Sequence, residues 1–185
     1  MDIFDELFNG FSREAFRLEL LEEYRVGGKE EEEFRTFLGG AALPLGANAD
    51  WCKDVRAWTQ SGKRVIRVRI LPEVFNPYLR YEIEWCYPFN ISAGEDIRFL
   101  RQASFREIIP EAPDLADSWL FDDARLLEMH YTKDGTYLDE ELITDSSKVK
   151  RVSSISKLLL LHSMPADQFY ASYRTSSSLS GNFPR

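Results

Sequence analysis

Residues 62–101 read GKRVIRVRILPEVFNPYLRYEIEWCYPFNISAGEDIRFLR, and this stretch decides the fold. Its first part, residues 64–71, alternates with the period of a β-strand and carries Ile66, Val68 and Ile70 on one face. Arg67 and Arg69 fall on the opposite face. Because charged side chains need partners when they are buried, this strand cannot have two ordinary apolar faces.

A helix and a second strand follow within the same stretch. Asn76 and Pro77 predict a helix start, since asparagine caps helix N-termini and proline is favoured at the first helical position. We expect this helix to reach about Tyr87 and to end at Pro88. Residues 96–100 predict the second strand. The stretch is therefore a strand-helix-strand unit, with seven Lys and Arg against five Asp and Glu.

Helices are predicted before this unit. Ser12 can cap a helix that extends to about Tyr24, because apolar side chains recur there at helical spacing. A docking arm of apolar side chains precedes it. Residues 29–38 predict a second helix, whose acidic first turn, residues 30–33, fits the helix dipole; a metal or partner site is the alternative. A third helix carries the apolar stripe Trp51, Val55 and Trp58.

Strands are predicted after the unit. Residues 118–121 form a short apolar run that fits a buried strand. Residues 125–131 and 136–142 predict two further strands, and the Asp134-Gly135 pair between them is a strong signal for a tight hairpin. The three segments together predict an antiparallel meander.

The C-terminal part is predicted to be a helix followed by a tail. Ser146 or Ser147 caps the helix and Pro165 ends it. Residues 1–174 are expected to form a single globular domain, and residues 175–185 a mobile tail. The fold class is α/β, with α+β as the alternative. It comprises a central mixed sheet, N-terminal helices, the strand-helix-strand unit, a β-hairpin and a C-terminal helix.

The charge of the chain disfavours some classes of partner. Its 185 residues have a formal net charge of −8 and a pI near 4.9. Direct binding to duplex DNA or to an anionic membrane is not expected, because both need clustered Lys and Arg. The N-terminal sequence MDIFDELFNGF is acidic where a secretory signal is basic. We therefore expect a cytoplasmic protein in which Cys52 and Cys86 are reduced.

Known catalytic motifs do not occur in the sequence. It has no Gly-x-Ser-x-Gly, Walker loop, dinucleotide fingerprint or Cys-x-x-Cys, and it has two histidines. No cofactor is expected. Carboxylates near the predicted hairpin are an alternative Mg²⁺ or Mn²⁺ site, but turn formation and a solvated hairpin explain them without a metal. The residues concerned are Asp122, Asp123, Glu128 and His130, with residues 139–141 across the hairpin.

The arginine-rich face of the strand-helix-strand unit is the stronger candidate site. Its residues can meet near the strand ends, where open α/β sheets bind ligands. Arginine forks suit carboxylate or phosphate, so the face can bind a small anionic ligand or an acidic partner. An internal Arg–Glu network that fastens helix to sheet is the favoured interpretation of the same residues, because buried charges need partners in either case. The residues are Arg67, Arg69, Arg80, Glu82, Glu95 and Arg98.

Five separated phrases are similar to a known family: AFRLELLEEY, RVIRVRI with YLRYE, N-x-x-AGEDIR, WLFDD and MHY-x-x-DG. They occur in order between about residues 4 and 165, and they resemble an uncharacterised actinobacterial family, domain of unknown function 6879. That family has no established activity, so the resemblance implies no catalytic residues. It implies a genomic context beside helix-turn-helix regulators and other small regulatory proteins.

A weaker resemblance is to the fold of a phospholipase-D-like half-domain. That family's chemistry needs His-x-Lys-x4-Asp. Here His130 is followed by Lys133 and Asp139, which shifts the lysine by one residue and so to the other face of a strand. The Asp134-Gly135 turn would also interrupt the motif. Phosphodiester cleavage by this route is not expected.

Two functions remain after these comparisons of motif and charge. The preferred hypothesis is a non-catalytic regulatory or interaction module that binds a protein partner, such as a helix-turn-helix regulator encoded nearby, or a small anionic effector. The alternative is an enzyme for a phosphorylated or nucleotide substrate that uses the arginine face with Asp122, Asp123 and His130. The enzyme hypothesis requires these three residues to share a site with Arg67 and Arg69.

Overall fold

One mixed β-sheet forms the centre of the molecule. The computed structural model describes residues 2–25, 27–42, 48–111 and 115–179, with side chains as far as Tyr173. In chain order the strands are β1 (Glu14–Glu19), β2 (Arg64–Leu71), β3 (Asp96–Arg101), β4 (Ser118–Phe121), β5 (Arg125–Tyr131), β6 (Tyr137–Ile143) and β7 (Met164–Pro165). The order within the sheet is β6-β5-β4-β1-β2-β3-β7. β1, β2 and β3 are parallel, and the other neighbours are antiparallel.

Helices connect these strands and cover both faces of the sheet. They are α1 (Ile3–Gly10), α2 (Gly28–Leu38), α3 (Ala49–Gln60), α4 (Pro77–Tyr81), a π-helical turn (Glu82–Cys86), α5 (Tyr87–Ala93), α6 (Gln102–Ile108), α7 (Ser146–His162) and α8 (Ala166–Leu179). The α/β class, the strand-helix-strand unit and the hairpin are confirmed. Of the described helices, none has the length and apolar character needed to cross a membrane.

The prediction of a helix that begins at Ser12 is wrong, because this segment forms β1. The strand lies in the middle of the sheet, paired with β2 on one side and β4 on the other. Phe16 and Leu18 enter the apolar cluster on one face, while Arg17 and Glu19 are buried on the other. Strand pairing on both sides has overridden the helical spacing of the apolar residues. The docking arm before it is helix α1, which buries Leu7 and Phe8.

The helix that follows β2 is longer than predicted and passes through Pro88. A π-helical turn accommodates the proline: the N–H of Tyr87 donates to the carbonyl of Glu82, five residues back. The next amide in this pattern belongs to Pro88, which has no N–H to give to the Ile83 carbonyl. The hydroxyl of Tyr170, on α8, donates to that carbonyl instead, at 2.6 Å. A contact distant in sequence therefore replaces the missing helical hydrogen bond.

Two helical layers enclose the sheet. On one face, α6 and α7 cover an apolar cluster that includes Ile66 and Val68. On the opposite face, α1 and α3 pack around Trp119, and a second cluster that includes Tyr87 packs under α4, α5 and α8. Arg67 lies over the rings of both Trp119 and Tyr87, at 5.9 Å from each ring centroid. Arg67 thus lies between two apolar clusters.

The C-terminal helices differ from expectation in detail. Asp145 rather than a serine caps α7, and its carboxylate accepts from the Ser147 N–H at 2.8 Å. Asp145 is the better acceptor because its charge is favoured at a helix N-terminus. The helix ends before Pro165, as predicted. The backbone of α8 continues to Leu179, and residues 180–185 of the predicted tail lie outside the described residues.

Candidate functional site

The candidate site starts from two rows of side chains on one face of β4, β1 and β2. Strand register places Trp119, Arg17 and Arg67 side by side in one row, and Glu19 beside Arg69 in the next. Facing residues on neighbouring strands have Cβ atoms about 5 Å apart, so the adjacent arginines Arg17 and Arg67 repel each other without carboxylates nearby. The sheet itself therefore creates a need for buried acidic partners.

Glu19 is the central carboxylate of this cluster. It pairs directly with Arg67, and its oxygens lie 3.5 Å from Arg17 Nε and 4.0 Å from Arg69 Nε. The hydroxyl of Tyr87 also donates to it, at 3.1 Å. Burial opposes ionisation of Glu19, but the three guanidinium groups together hold its pKa below the ordinary value. Glu19 therefore stays charged.

Three further carboxylates surround the arginines. Glu95 accepts from Arg67 Nε at 2.7 Å and from the indole of Trp51 at 2.8 Å. Glu82 accepts from Arg69 Nη2 at 2.7 Å. Asp117 lies 3.9 Å from Arg17 and accepts from the hydroxyl of Tyr24. We call this group of seven residues the charged cluster: Arg17, Arg67, Arg69, Glu19, Glu82, Glu95 and Asp117.

Burial favours the protonated, uncharged form of two carboxylates in the charged cluster, those of Glu82 and Asp117. Removal from water raises the pKa of Glu82 to about 7, although Arg69 favours its ionised form. Burial also raises the pKa of Asp117, against the opposing effect of Arg17. Three arginines that remain charged thus face two carboxylates whose protons are held more tightly than in water. The charged cluster can take up a proton near neutral pH.

A cavity of about 330 Å³ lies against the charged cluster. Its volume is at the lower end of the range for small-molecule sites. Arg17, Glu19, Arg67 and Glu82 line it from the cluster. Eight of its lining residues are aromatic: Phe4, Tyr24, Trp51, Tyr78, Tyr81, Tyr87, Trp119 and Tyr131. Such walls can bind a planar or cationic group of a small ligand.

Arg17, which lines the cavity, has one buried donor without a hydrogen-bond acceptor. The side chain of Arg17 is 6% exposed, and its Nη2 donates to the Tyr131 hydroxyl at 3.2 Å. Its Nη1 is buried and finds no acceptor among the described residues. A buried guanidinium N–H without an acceptor is costly and uncommon.

Helix α2 contributes an acidic part of the wall. Glu30 accepts from the Tyr78 hydroxyl at 2.5 Å, and Glu33 accepts from the Tyr81 hydroxyl at 3.2 Å. Burial raises the pKa of Glu30. Both carboxylates line the cavity on the side of α2. Their position follows from helical spacing, since residues three apart share one face.

The structure brings together four of the residues predicted for the arginine face: Arg67, Arg69, Glu82 and Glu95. Arg80 points away from them and pairs with Glu84 at 3.1 Å. Arg98 lies on the opposite face of the sheet, where it donates to the Ser163 hydroxyl at 3.0 Å and to two carbonyls at the end of α7. These last two arginines hold structural elements in place.

Asp122 and Asp123 lie at the turn between β4 and β5. The Asp122 carboxylate accepts from the backbone N–H groups of Ser12, Arg13 and Glu14. Arg17 is three residues beyond Glu14 on β1, a rise of about 10 Å along the strand. Asp123 turns to the other side of the molecule and accepts from Ser153 of α7 at 2.7 Å.

His130 lies on the sheet face opposite Arg17. It contacts Asp139 of β6 at 2.7 Å, while its neighbour Tyr131 contacts Arg17 on the other face. Glu128, on the same face as His130, pairs with Lys148 of α7 at 2.7 Å. Within the described part of the chain, no three His, Cys, Asp or Glu side chains are grouped so that they could hold a metal ion. Asp122, Asp123 and His130 thus do not line the cavity with Arg67.

Sequence reasoning missed the residues of β1 that complete the site. Arg17 and Glu19 were assigned to a helix and so were not placed beside Arg67 and Arg69. A signal for the strand was present: in Ala15–Leu20 the apolar residues Phe16, Leu18 and Leu20 alternate with the charged ones, just as in β2. Asp117 had no such signal, since tertiary packing alone brings it to Arg17. Residues 30–33 were considered as a metal or partner site, but nothing in the sequence placed them beside the arginine face.

The fold and the site define an α/β protein with a charged cluster buried beneath a small aromatic cavity. The chain matches the family described as Domain of unknown function (DUF6879) over residues 2–171. Because the match covers most of the chain, the chain belongs to that family. A comparison with curated proteins finds no match.

Proposed function

We propose that this chain is a non-catalytic regulatory module of the cytoplasm that binds a small effector in the aromatic cavity. The observation that carries the proposal is the cavity of about 330 Å³ against the charged cluster, which Arg17 and Arg67 line together with aromatic side chains. Arg69 is paired with Glu82 and does not line the cavity. Arg67 is paired with Glu19 and Glu95 but does line the cavity, so it can contact the effector directly.

Helix α2 offers a route from effector binding to regulation. It has no fully buried side chain among the described residues, and Phe34 and Phe37 are the partly buried side chains that pack it against the core. Glu30 and Glu33 of α2 line the same cavity as Arg17 of the central strand. A ligand that contacts both would fix α2 to the sheet and alter the surface offered to a partner. The partner we propose is a protein, such as a helix-turn-helix regulator encoded nearby.

The binding part of the proposal can be tested by enrichment from cell extract. Wild-type protein is dialysed against a small-molecule extract of its own cells, and retained compounds are identified by mass spectrometry. Met129→Trp, which fills the cavity from its wall, is compared with Leu138→Trp, a position 58% exposed outside it. We expect a compound retained by wild type and Leu138→Trp but lost from Met129→Trp. Equal retention by all three proteins would contradict the proposal.

The regulatory part needs two further measurements. Hydrogen exchange should show that the retained compound protects the amides of α2 more than those of α7, which buries several side chains. Native protein should also copurify with the products of its neighbouring genes, and the retained compound should change the amount recovered. The regulatory role would be contradicted if the compound protected α2 and α7 equally. It would also be contradicted if the compound left the amount of recovered partner unchanged.

A further inference from the structure

A second cavity lies at the β3 edge of the sheet. Its volume is about 610 Å³, within the range of small-molecule sites, and it shares no lining residue with the aromatic cavity. Leu71 and Arg101, the last residues of β2 and β3, line it. It therefore lies at the carboxyl ends of parallel strands, where open α/β sheets bind ligands. We call it the edge groove, and its main lining residues are Phe75, Phe99, Arg101, His162, Phe169 and Tyr173.

The edge groove forms because β7 covers only part of β3. The two residues of β7 pair with Arg98 and Phe99. The next residues of β3, Leu100 and Arg101, pair with β2 on one side and have no strand partner on the other among the described residues. Helix α8 borders this gap on one face of the sheet, and α6 and the end of α7 border it on the other. The uncovered end of β3 thus becomes the floor of the groove.

A row of stacked rings forms one wall of the edge groove. The rings of Phe99 and Phe169 have centroids 4.0 Å apart, and those of Phe169 and Tyr173 are 5.6 Å apart. Phe75 continues the row, with its centroid 6.2 Å from that of Tyr173. Val74, which also lines the groove, is 81% exposed. The wall therefore presents apolar surface that an apolar ligand group would remove from water.

Two basic side chains line the same groove. Arg101 comes two residues after Phe99 in β3, so its side chain lies on the face of the stacked rings. His162 is the last residue of α7. Both are exposed, and neither side chain has an ion pair or a hydrogen bond with another described residue. Glu73 is the acidic residue among the described lining residues, and no ion pair joins it to Arg101.

These features select the charge of the ligand. A neutral apolar molecule would leave the basic side chains without a partner, and a cation would be repelled by Arg101. A small hydrophilic anion would not use the stacked rings. A dianion such as a phosphate monoester would be opposed by Glu73, whereas a single carboxylate matches the charge of one arginine. The planar fork of arginine can also donate two parallel hydrogen bonds to a carboxylate.

We propose that the edge groove binds a small amphipathic carboxylate, such as a medium-chain fatty acid. Its chain lies along the stacked rings, and its carboxylate lies at Arg101 and His162. The edge groove is separate from the aromatic cavity, so this ligand is additional to the effector of the proposed function.

Probes that share one chain test the ligand class by isothermal titration calorimetry at pH 7 and low salt. Octanoate should bind at least fivefold more tightly than octan-1-ol or octylamine, because only the carboxylate can pair with Arg101. It should also bind at least fivefold more tightly than hexanoate, since each buried CH₂ group contributes about fourfold in affinity. The proposal is overturned if octanoate does not bind, or if hexanoate, octan-1-ol, octylamine or octyl phosphate binds as tightly.

Two arginine variants test the contact with the carboxylate. Arg101→Gln should lower octanoate affinity at least fivefold while leaving octan-1-ol affinity within twofold. Arg106→Gln, which changes an exposed arginine of α6 outside the groove, should leave both affinities unchanged. Equal losses of octanoate affinity in the two variants, or no loss in Arg101→Gln, would contradict the assigned contact.

Tryptophan variants locate the bound chain. Ser104→Trp fills the edge groove from α6 and should abolish octanoate binding, whereas Ala103→Trp, at an exposed neighbouring position outside the groove, should not. If Ser104→Trp is unfolded by circular dichroism, Ser172→Trp, on the exposed side of α8, enters the same groove and replaces it. Met129→Trp fills the aromatic cavity and should leave octanoate binding unchanged. Loss of binding in Met129→Trp alone would place octanoate in the aromatic cavity, which overturns this proposal but not the proposed function.

Discussion

Replacement of Glu82 by glutamine should change how stability depends on pH. Burial raises the pKa of Glu82 from 4.5 to about 7. A raised folded-state pKa gives a contribution to stability that is fully present below pH 4.5 and is lost as pH rises through about 7. At about 1.4 kcal/mol per pKa unit the contribution to the free energy of unfolding is roughly 3 kcal/mol. Glu82→Gln lacks this dependence.

Urea unfolding at a series of pH values from 4.5 to 8 measures the effect. The free energy of unfolding of wild type minus that of Glu82→Gln should fall by about 2–3 kcal/mol across this range. A constant offset between the proteins is not the test, because glutamine also weakens the contact with Arg69. Glu84→Gln, on the same helical turn but paired at the surface with Arg80, is the control and should show no such fall. A flat difference for Glu82→Gln would refute the reasoning.

Three further perturbations test how the fold is held together. Tyr170→Phe leaves the Ile83 carbonyl without its donor and should lower the free energy of unfolding by about 1–2 kcal/mol in urea; no loss would mean that another donor reaches that carbonyl. Asp122 accepts from three backbone N–H groups at 2.8–2.9 Å, which hold its pKa at about 2 despite partial burial. Because that pKa is depressed, Asp122→Asn should cost about 1–2 kcal/mol at pH 6 after allowance for solvent screening, and the difference should vanish as pH falls through about 2; a difference independent of pH would contradict this account. Gly135→Ala places a Cβ 2.2 Å from the Glu23 carbonyl oxygen at a φ of 81°, so it should cost more than about 2 kcal/mol in thermal unfolding, and a loss below about 0.5 kcal/mol would show that the turn can move.

The parts of the fold that follow from local pattern were predictable from the sequence. The strict alternation of β2, the Asn76-Pro77 helix start and the Asp134-Gly135 turn each predict one structure through backbone physics alone. The helical reading of β1 failed because apolar residues at 15, 16, 20 and 24 fit a helix, whereas the charged residues between them fit a strand. Central strands have both edges paired, and no local signal reports that environment.

The helix through Pro88 could not be predicted for a different reason. Proline usually ends a helix because it lacks an N–H and crowds the preceding turn. Here the cost is offset by a π-helical turn and by the Tyr170 hydroxyl, which comes from α8. A donor more than eighty residues away is visible only in three dimensions. The same holds for Asp117 and for the α2 carboxylates at the cavity.

The sequence predicted that arginines and carboxylates would meet at the candidate site, but it predicted only some of the residues that do. Two arginines on one strand face required buried carboxylates, and Glu82 and Glu95 were named among them. Asp122, Asp123 and His130 were grouped with one another, since they stand close together in the sequence, and the enzyme hypothesis placed them with the arginine face. In the fold, strand alternation sends His130 to the opposite face from Tyr131. Proximity along the chain was therefore a poor guide to proximity in space.

Apolar residues could occupy the positions of the charged cluster without loss of stability, so the presence of charges there bears on function. Replacement of buried ion pairs by apolar residues of similar volume is often neutral or stabilising, so stability alone does not require three arginines and four carboxylates beneath the cavity. What such a cluster provides is fixed geometry: Glu19 orients Arg17 and Arg67 together, and Tyr131 and Asp117 hold the remaining side of Arg17. The side chain of Arg17, which lines the cavity, is therefore held rigidly. A rigidly held side chain loses little entropy when a ligand arrives, which is the property a small-molecule sensor needs.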